Sequence, residues 1–234
     1  MPDQEFEESR GARSTSIRRR YRHAYLLAAL LLTITLPPFL GERMLGVTLV
    51  ELFLLVTVLV GVYTSTEDNG RIGLSVFLGL SAVASRIAFE VLEQRAFLYA
   101  FLVSSLFFFA IVAWTLVSRL FSQRRGVTWD TLCGAFSVYL ILGLLWTCAY
   151  VLLELVEPGS FDFGQVDSSP EGLFERFIGF SYTTLTTLGY GNVTPTNPRG
   201  DALTTLEAIV GQGYLAIVIA RLVALQIAES ETVE

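Results

Sequence analysis

Six long apolar runs, at about 24–40, 45–64, 72–90, 97–121, 129–156 and 202–228, leave this chain few ways to fold. A helix needs about 20 mostly apolar residues to cross the hydrocarbon core of a bilayer. Each run reads as a membrane-spanning helix, although the first is short and ends at Pro37-Pro38 and the third is the most polar. Hydrophobic residues make up 53% of the chain and the mean hydropathy is +0.57, too apolar for an ordinary soluble domain.

The basic residues set an orientation. All 16 are arginine. Arg18, Arg19, Arg20 and Arg22 precede the first run, and Arg119, Arg124 and Arg125 lie between the fourth and fifth. The positive-inside rule then puts the N-terminus in the cytoplasm, and six spans return the C-terminus there. The basic stretch followed by Tyr25–Leu36 imitates a secretory leader. Only Pro37-Pro38-Phe39-Leu40-Gly41-Glu42 follows, with no small-residue cleavage site, so it reads as a retained anchor. The expected organisation is a cytoplasmic tail (1–23), a four-helix membrane domain (24–125), a second membrane domain (126–228) and a short cytoplasmic tail (229–234). Residues 1–17 read as disordered.

Between the last two runs stands Thr184-Leu185-Thr186-Thr187-Leu188-Gly189-Tyr190-Gly191. Ahead of it, Ser168 with Glu171 makes a capping box, and Pro170 suits a first helical turn. These signals predict a short helix from about Pro170 to Thr186, with its negative dipole end aimed at whatever follows. Gly189 and Gly191 take positive φ at little cost, which residues bearing a Cβ do not.

This string resembles the selectivity filter of the potassium-channel family, whose usual pattern is T-x-x-T-x-G-Y-G. The likeness covers roughly 129–228: outer helix, pore helix, filter and inner helix. It implies an all-α integral membrane fold, with six transmembrane helices per chain and a re-entrant pore helix and filter loop, assembled as a homotetramer around K⁺ as the permeant ion. In that family backbone carbonyls replace the hydration shell of the ion. Carried over, the carbonyls of Thr187, Leu188, Gly189 and Tyr190 line the ion sites and the Thr187 hydroxyl adds an innermost ring. Tyr190 braces the filter from behind, with Thr184, Gly191, Asn192 and Phe180 around it. Asn192 stands where an Asp usually follows Gly-Tyr-Gly, and Phe180 where a Trp is common. These departures bear on filter rigidity and inactivation more than on ion choice. Leu188 for Val is mild.

Other features are ambiguous at the level of sequence. Gly211, 20 residues beyond Gly191, falls where the family's inner helix bends, with Gly213 as a second flexible point. Close helix packing through small residues explains it equally well. Helical spacing from Gly211 puts Leu215, Ile219 and Val223 on one face, with Ile219 and Val223 as a hydrophobic gate on the cytoplasmic side. Asp201 reads as the cap of the last run, after Asn197-Pro198-Arg199-Gly200. Glu51 and Arg86 are intramembrane charges expected to pair, or Arg86 pairs with Glu90 one turn on. The fourth run holds only Arg119, so no arginine-rich voltage sensor is expected. Glu154, Glu157, Asp162, Asp167 and Glu171 either concentrate cations at a pore mouth or form a solvated loop.

Several signals are set aside. Cys133 and Cys148 lie about 22 Å apart along one helix and cannot bridge. Gly211-x-Gly213-x-x-Ala216 lacks the strand a dinucleotide fingerprint requires. The sequon at Asn192-Val193-Thr194 would put a glycan over the pore. His23, the single histidine, has no nucleophile motif. No enzyme, organic cofactor or nucleic-acid partner is expected, nor, from the short remainder after the last run, a nucleotide-binding or calcium-binding cytoplasmic domain. The reading is a prokaryotic-type potassium channel of the inner or plasma membrane, in contact with lipid. A poorly selective cation channel and a non-conducting membrane sensor with a vestigial pore are the alternatives.

Overall fold

The computed structural model describes residues 22–35, 69–122, 128–164 and 170–231. They form six helices: α1 (Arg22–Thr35), α2 (Asn69–Leu92), α3 (Arg95–Ser122), α4 (Trp129–Val156), α5 (Pro170–Leu185) and α6 (Pro198–Glu231). A two-residue pairing, β1 (Phe161–Asp162) with β2 (Thr194–Pro195), is antiparallel and sets Phe161 opposite Pro195. Among the described residues, four stretches have the length and composition to cross a bilayer: Ile72–Leu92, Arg95–Ser122, Trp129–Val156 and Pro198–Ala228. The run at 45–64, and Glu51 within it, lies outside the described residues.

The centre of the fold is α4. Of its most apolar stretch 61% is buried, against 11% for α6, so α4 is the post on which the rest is hung and α6 keeps an apolar flank open. Helices α1, α3, α5 and α6 all pack against it. Helix α3 packs along α4 of its own chain, with the Tyr99 hydroxyl donating to the Leu155 carbonyl at 3.0 Å. Helix α1 is fastened at the other end of α4: the His23 amide donates to Asp130 Oδ1 at 2.9 Å, and its Nδ1 lies 2.7 Å from Oδ2. Thr128 caps α4 beside this contact, accepting from the Thr131 amide at 3.2 Å. His23 is therefore a structural clasp.

Arg86 lies 3.4 Å from Glu90 on the same helix and its guanidinium sits over the Phe89 ring at 5.7 Å. This is the pairing a turn along the helix; the other expected partner, Glu51, lies outside the described residues. Helix α3 begins at Arg95, so it carries an arginine near each end and none between.

Helix α5 runs antiparallel to α4 along one face of it. Tyr139, Gly143, Thr147 and Tyr150 recur at helical spacing, and as their numbers rise their partners on α5 fall. The Tyr139 hydroxyl donates to the Leu185 carbonyl at 2.9 Å, the Tyr182 hydroxyl to Leu140 at 2.7 Å, and Tyr150 stacks on Phe177. Gly143 makes the approach possible: a Cβ there would sit 2.3 Å from the Tyr182 ring. Gly143→Ala is expected to destabilise the detergent-solubilised protein by about 1–3 kcal/mol through overpacking. Adding Tyr182→Ala should recover part of the loss, which a double-mutant cycle of thermal or denaturant unfolding measures.

Candidate functional site

Helix α5 ends at Leu185, one residue short of the expected boundary, and the chain continues as an extended, exposed segment from Thr186 to Asn192. Its first turns are hung from the end of α5. The Thr187 amide donates to the Thr184 carbonyl at 2.9 Å, and the amides of Leu188 and Gly189 donate to the Thr183 carbonyl at 2.8 and 3.1 Å. These bonds occupy carbonyls a helix C-terminus otherwise leaves open.

Positive φ then recurs at every second residue: Thr187 at 60°, Gly189 at 55° and Gly191 at 72°. Alternation of left-handed with other conformations orients neighbouring peptide groups toward one side of the strand. The two glycines behave as their lack of a Cβ allows. Thr187 departs from the expectation that residues with a Cβ avoid this region. A β-branched residue held there stores about 1–3 kcal/mol of strain, of the kind that persists where the surroundings over-determine it. Its hydroxyl donates to the Thr186 carbonyl at 2.6 Å.

Leu188 and Tyr190 point out of the single chain, at 57% and 73% exposure. Asn192 is exposed, and Val193 beside it is buried. Phe180 faces α4, with its ring 5.0 Å from Tyr150 and 5.7 Å from Phe161, in an aromatic group that also holds Phe177. It supports α5.

Beyond the strand, the loop ahead of α5 is clamped to the loop after Gly191. The Thr196 amide donates to the Ser160 carbonyl at 2.9 Å, Asn197 Nδ2 to Ser160 Oγ at 3.0 Å, and Arg199 to Glu157 at 2.6 Å. Glu154 accepts from the amides of Gly159 and Phe161, at 2.7 and 3.1 Å, and Asp162 from that of Gly164 at 2.9 Å. The described acidic residues thus shape the loop. Asp167 and the Glu171 side chain lie outside the description.

Asp201 does not cap α6. The helix begins at Pro198, and Asn197 Oδ1 accepts from the Gly200 amide at 2.8 Å. Proline at the first helical position with asparagine before it is the favoured start, and Asp201 falls inside the first turn.

One stripe of α6 faces the site. Glu207, Gly211, Tyr214 and Val218 follow each other at helical spacing. Gly211 is the point of closest approach: a Cβ there would lie 2.7 Å from the Leu185 carbonyl. Nothing lies within 4 Å of a Cβ at Gly213. Tyr214 stacks on Tyr139 and donates to the Ala135 carbonyl at 2.7 Å. Val218 is buried with Leu120 and Ala135, and Arg221 donates to the Phe121 carbonyl at the end of α3 at 3.1 Å. Leu215 packs on the core, while Ile219 and Val223 stand 59% and 53% exposed on a flank of α6 that α4 and α5 leave open.

The residue that sequence reasoning passed over is Glu207. It is wholly buried. Tyr150 of α4 donates to its Oε2, and Ser181 of α5 lies 2.5 Å from its Oε1. A carboxyl inside a run otherwise nearly free of charge was the available signal, since such groups are costly and partnered.

Residues 136–226, from within α4 to within α6, match the family model described as an ion channel. The chain is 29% identical over 117 residues to the inward rectifier potassium channel Kirbac3.1 of Paramagnetospirillum magnetotacticum. Both matches support a likeness of this region to the potassium-channel family. The match spans 43% of the chain and 35% of that relative, so it falls on a part of each protein. The matched region holds α5, the strand after it and the Glu207 stripe.

Gly211→Ala separates the two readings of that glycine. Close packing predicts that the added methyl displaces Leu185 and costs about 1–3 kcal/mol in thermal or denaturant unfolding. A purely hinge-like role predicts unchanged stability with an altered open probability.

Proposed function

We propose that the protein is a potassium-selective channel that conducts K⁺ passively across the inner or plasma membrane. Four chains surround a central axis, each with six spans and cytoplasmic termini. The observation that carries this reading is the segment Thr187–Gly191, suspended from the end of a short helix, with positive φ at every second residue. A ring of four such segments offers stacked layers of carbonyl oxygens, the group that replaces water around a desolvated cation. Stripping a cation of its water without such replacement costs tens of kcal/mol.

In this reading the carbonyls of Thr187, Leu188, Gly189 and Tyr190 line the ion path, and the Thr187 oxygen adds the innermost ring. Tyr190, exposed in one chain, seats against the neighbouring subunit. The exposed apolar flank of α6, including Ile219 and Val223, lines the cavity and the gate below the filter. The absence of arginines from the middle of α3 fits weak or absent voltage dependence.

Current through planar bilayers, with K⁺ on one side and Na⁺ on the other, tests the reading. The expected reversal potential lies near the K⁺ equilibrium value, and Gly189→Ala abolishes the selective current, since a Cβ at positive φ distorts the strand. A wild-type reversal near zero would support the poorly selective alternative instead.

A further inference from the structure

Glu207 is more than an occupant of the core. Its carboxyl joins three helices at one point: α4 through Tyr150, α5 through Ser181, and α6 on which it stands. One turn along α6, Gly211 presses on the carbonyl of Leu185. Two residues beyond Ser181, the Thr183 carbonyl carries the amides of Leu188 and Gly189. The chain of contacts from Glu207 to the carbonyl-bearing strand is therefore short and contains no loop.

Resting on the channel reading above, we propose that Glu207 is a positioning residue for ion selectivity: its carboxyl fixes the height and rotation of α5 against α6 and so the register of the filter strand. Apolar side chains also fill space between helices, but they allow sliding. Hydrogen bonds to two hydroxyls are directional and hold one geometry. A carboxyl buried here is costly unless hydrogen-bonded, and the two hydroxyls that meet it fix one geometry.

The hydroxyl count shapes the test. The Ser181 oxygen lies 2.5 Å from Glu207 Oε1 and 2.8 Å from the Gly143 carbonyl. It has a single hydrogen to give, and the Gly143 carbonyl only accepts. A glutamine amide at position 207 supplies a hydrogen toward Ser181 and keeps an oxygen for Tyr150. Leucine fills similar volume and supplies neither.

The experiment compares wild type, Glu207→Gln and Glu207→Leu in bilayers under the K⁺/Na⁺ gradient, with thermal unfolding of each purified protein alongside. The expected result is that Glu207→Leu still folds, with a lowered unfolding temperature because the Tyr150 hydroxyl loses its carboxyl partner, while its K⁺/Na⁺ permeability ratio falls about tenfold. Glu207→Gln should keep the ratio within about twofold, because both directed contacts survive. If Glu207→Leu does not fold, Ser181→Ala and Tyr150→Phe each remove one arm, and a lower ratio in folded protein supports the proposal. A selective wild type with Glu207→Leu (or, failing that, both single-arm variants) equally selective overturns it, as does Glu207→Gln as unselective as Glu207→Leu. A wild type without selectivity instead overturns the channel reading itself.

Discussion

A helix that stops inside the membrane, followed by non-helical backbone, must have its peptide groups satisfied by protein or by water in a cavity. That requirement organises the second half of this chain. Helix α5 is short, and the strand after it has few side-chain contacts of its own, so the support is built into α4. Tyr139, Thr147 and Tyr182 place hydroxyls on carbonyls of the partner helix, at 2.9, 3.4 and 2.7 Å. Tyrosine suits the task because its ring crosses an apolar gap and its hydroxyl is still free to bond at the far side. Gly143 and Gly211 bring the three helices close enough for these short reaches.

The same constraint explains how α6 is attached. Near the end of α5 it is held by Glu207 and by the contact of Gly211 with Leu185. Near its other end it is held by Tyr214, Val218 and Arg221, the last reaching the end of α3. These two attachments lie on one stripe of the helix. Ile219 and Val223 fall on the flank left open, where an assembled channel would have its cavity. Arg221 also gives α3 a direct hold on the segment of α6 that carries those residues.

Much of this was legible in the sequence, and the gaps have physical causes. Long helices announce themselves by composition, which is why α2, α3, α4 and α6 fall close to their expected runs. The bounds of α5 and the positive φ of Gly189 and Gly191 follow from local chemistry: a proline start, and glycines where a Cβ is a burden. The start of α6 was misassigned although Asn197-Pro198 carried the better local signal, because Asp201 is an equally good cap former nearby. The conformation of Thr187 had no local signature, since its strain is imposed by the bonds that suspend the strand. Glu207 was visible as a charge in an apolar run, but Tyr150 and Ser181 are distant in sequence and of types ordinary in membrane helices. Gly211 could not be assigned from sequence because a hinge and a packing glycine look alike until the neighbour is known.

The central claim is that backbone carbonyls from Thr187 to Tyr190 replace the water around K⁺. Anomalous diffraction from crystals of the protein grown with rubidium in place of potassium tests it directly. The account predicts rubidium peaks on a four-fold axis, at the level of those carbonyls, that vanish in crystals grown in Na⁺ alone. Chains arranged without such an axis, or an axis with no rubidium between these segments, would contradict it.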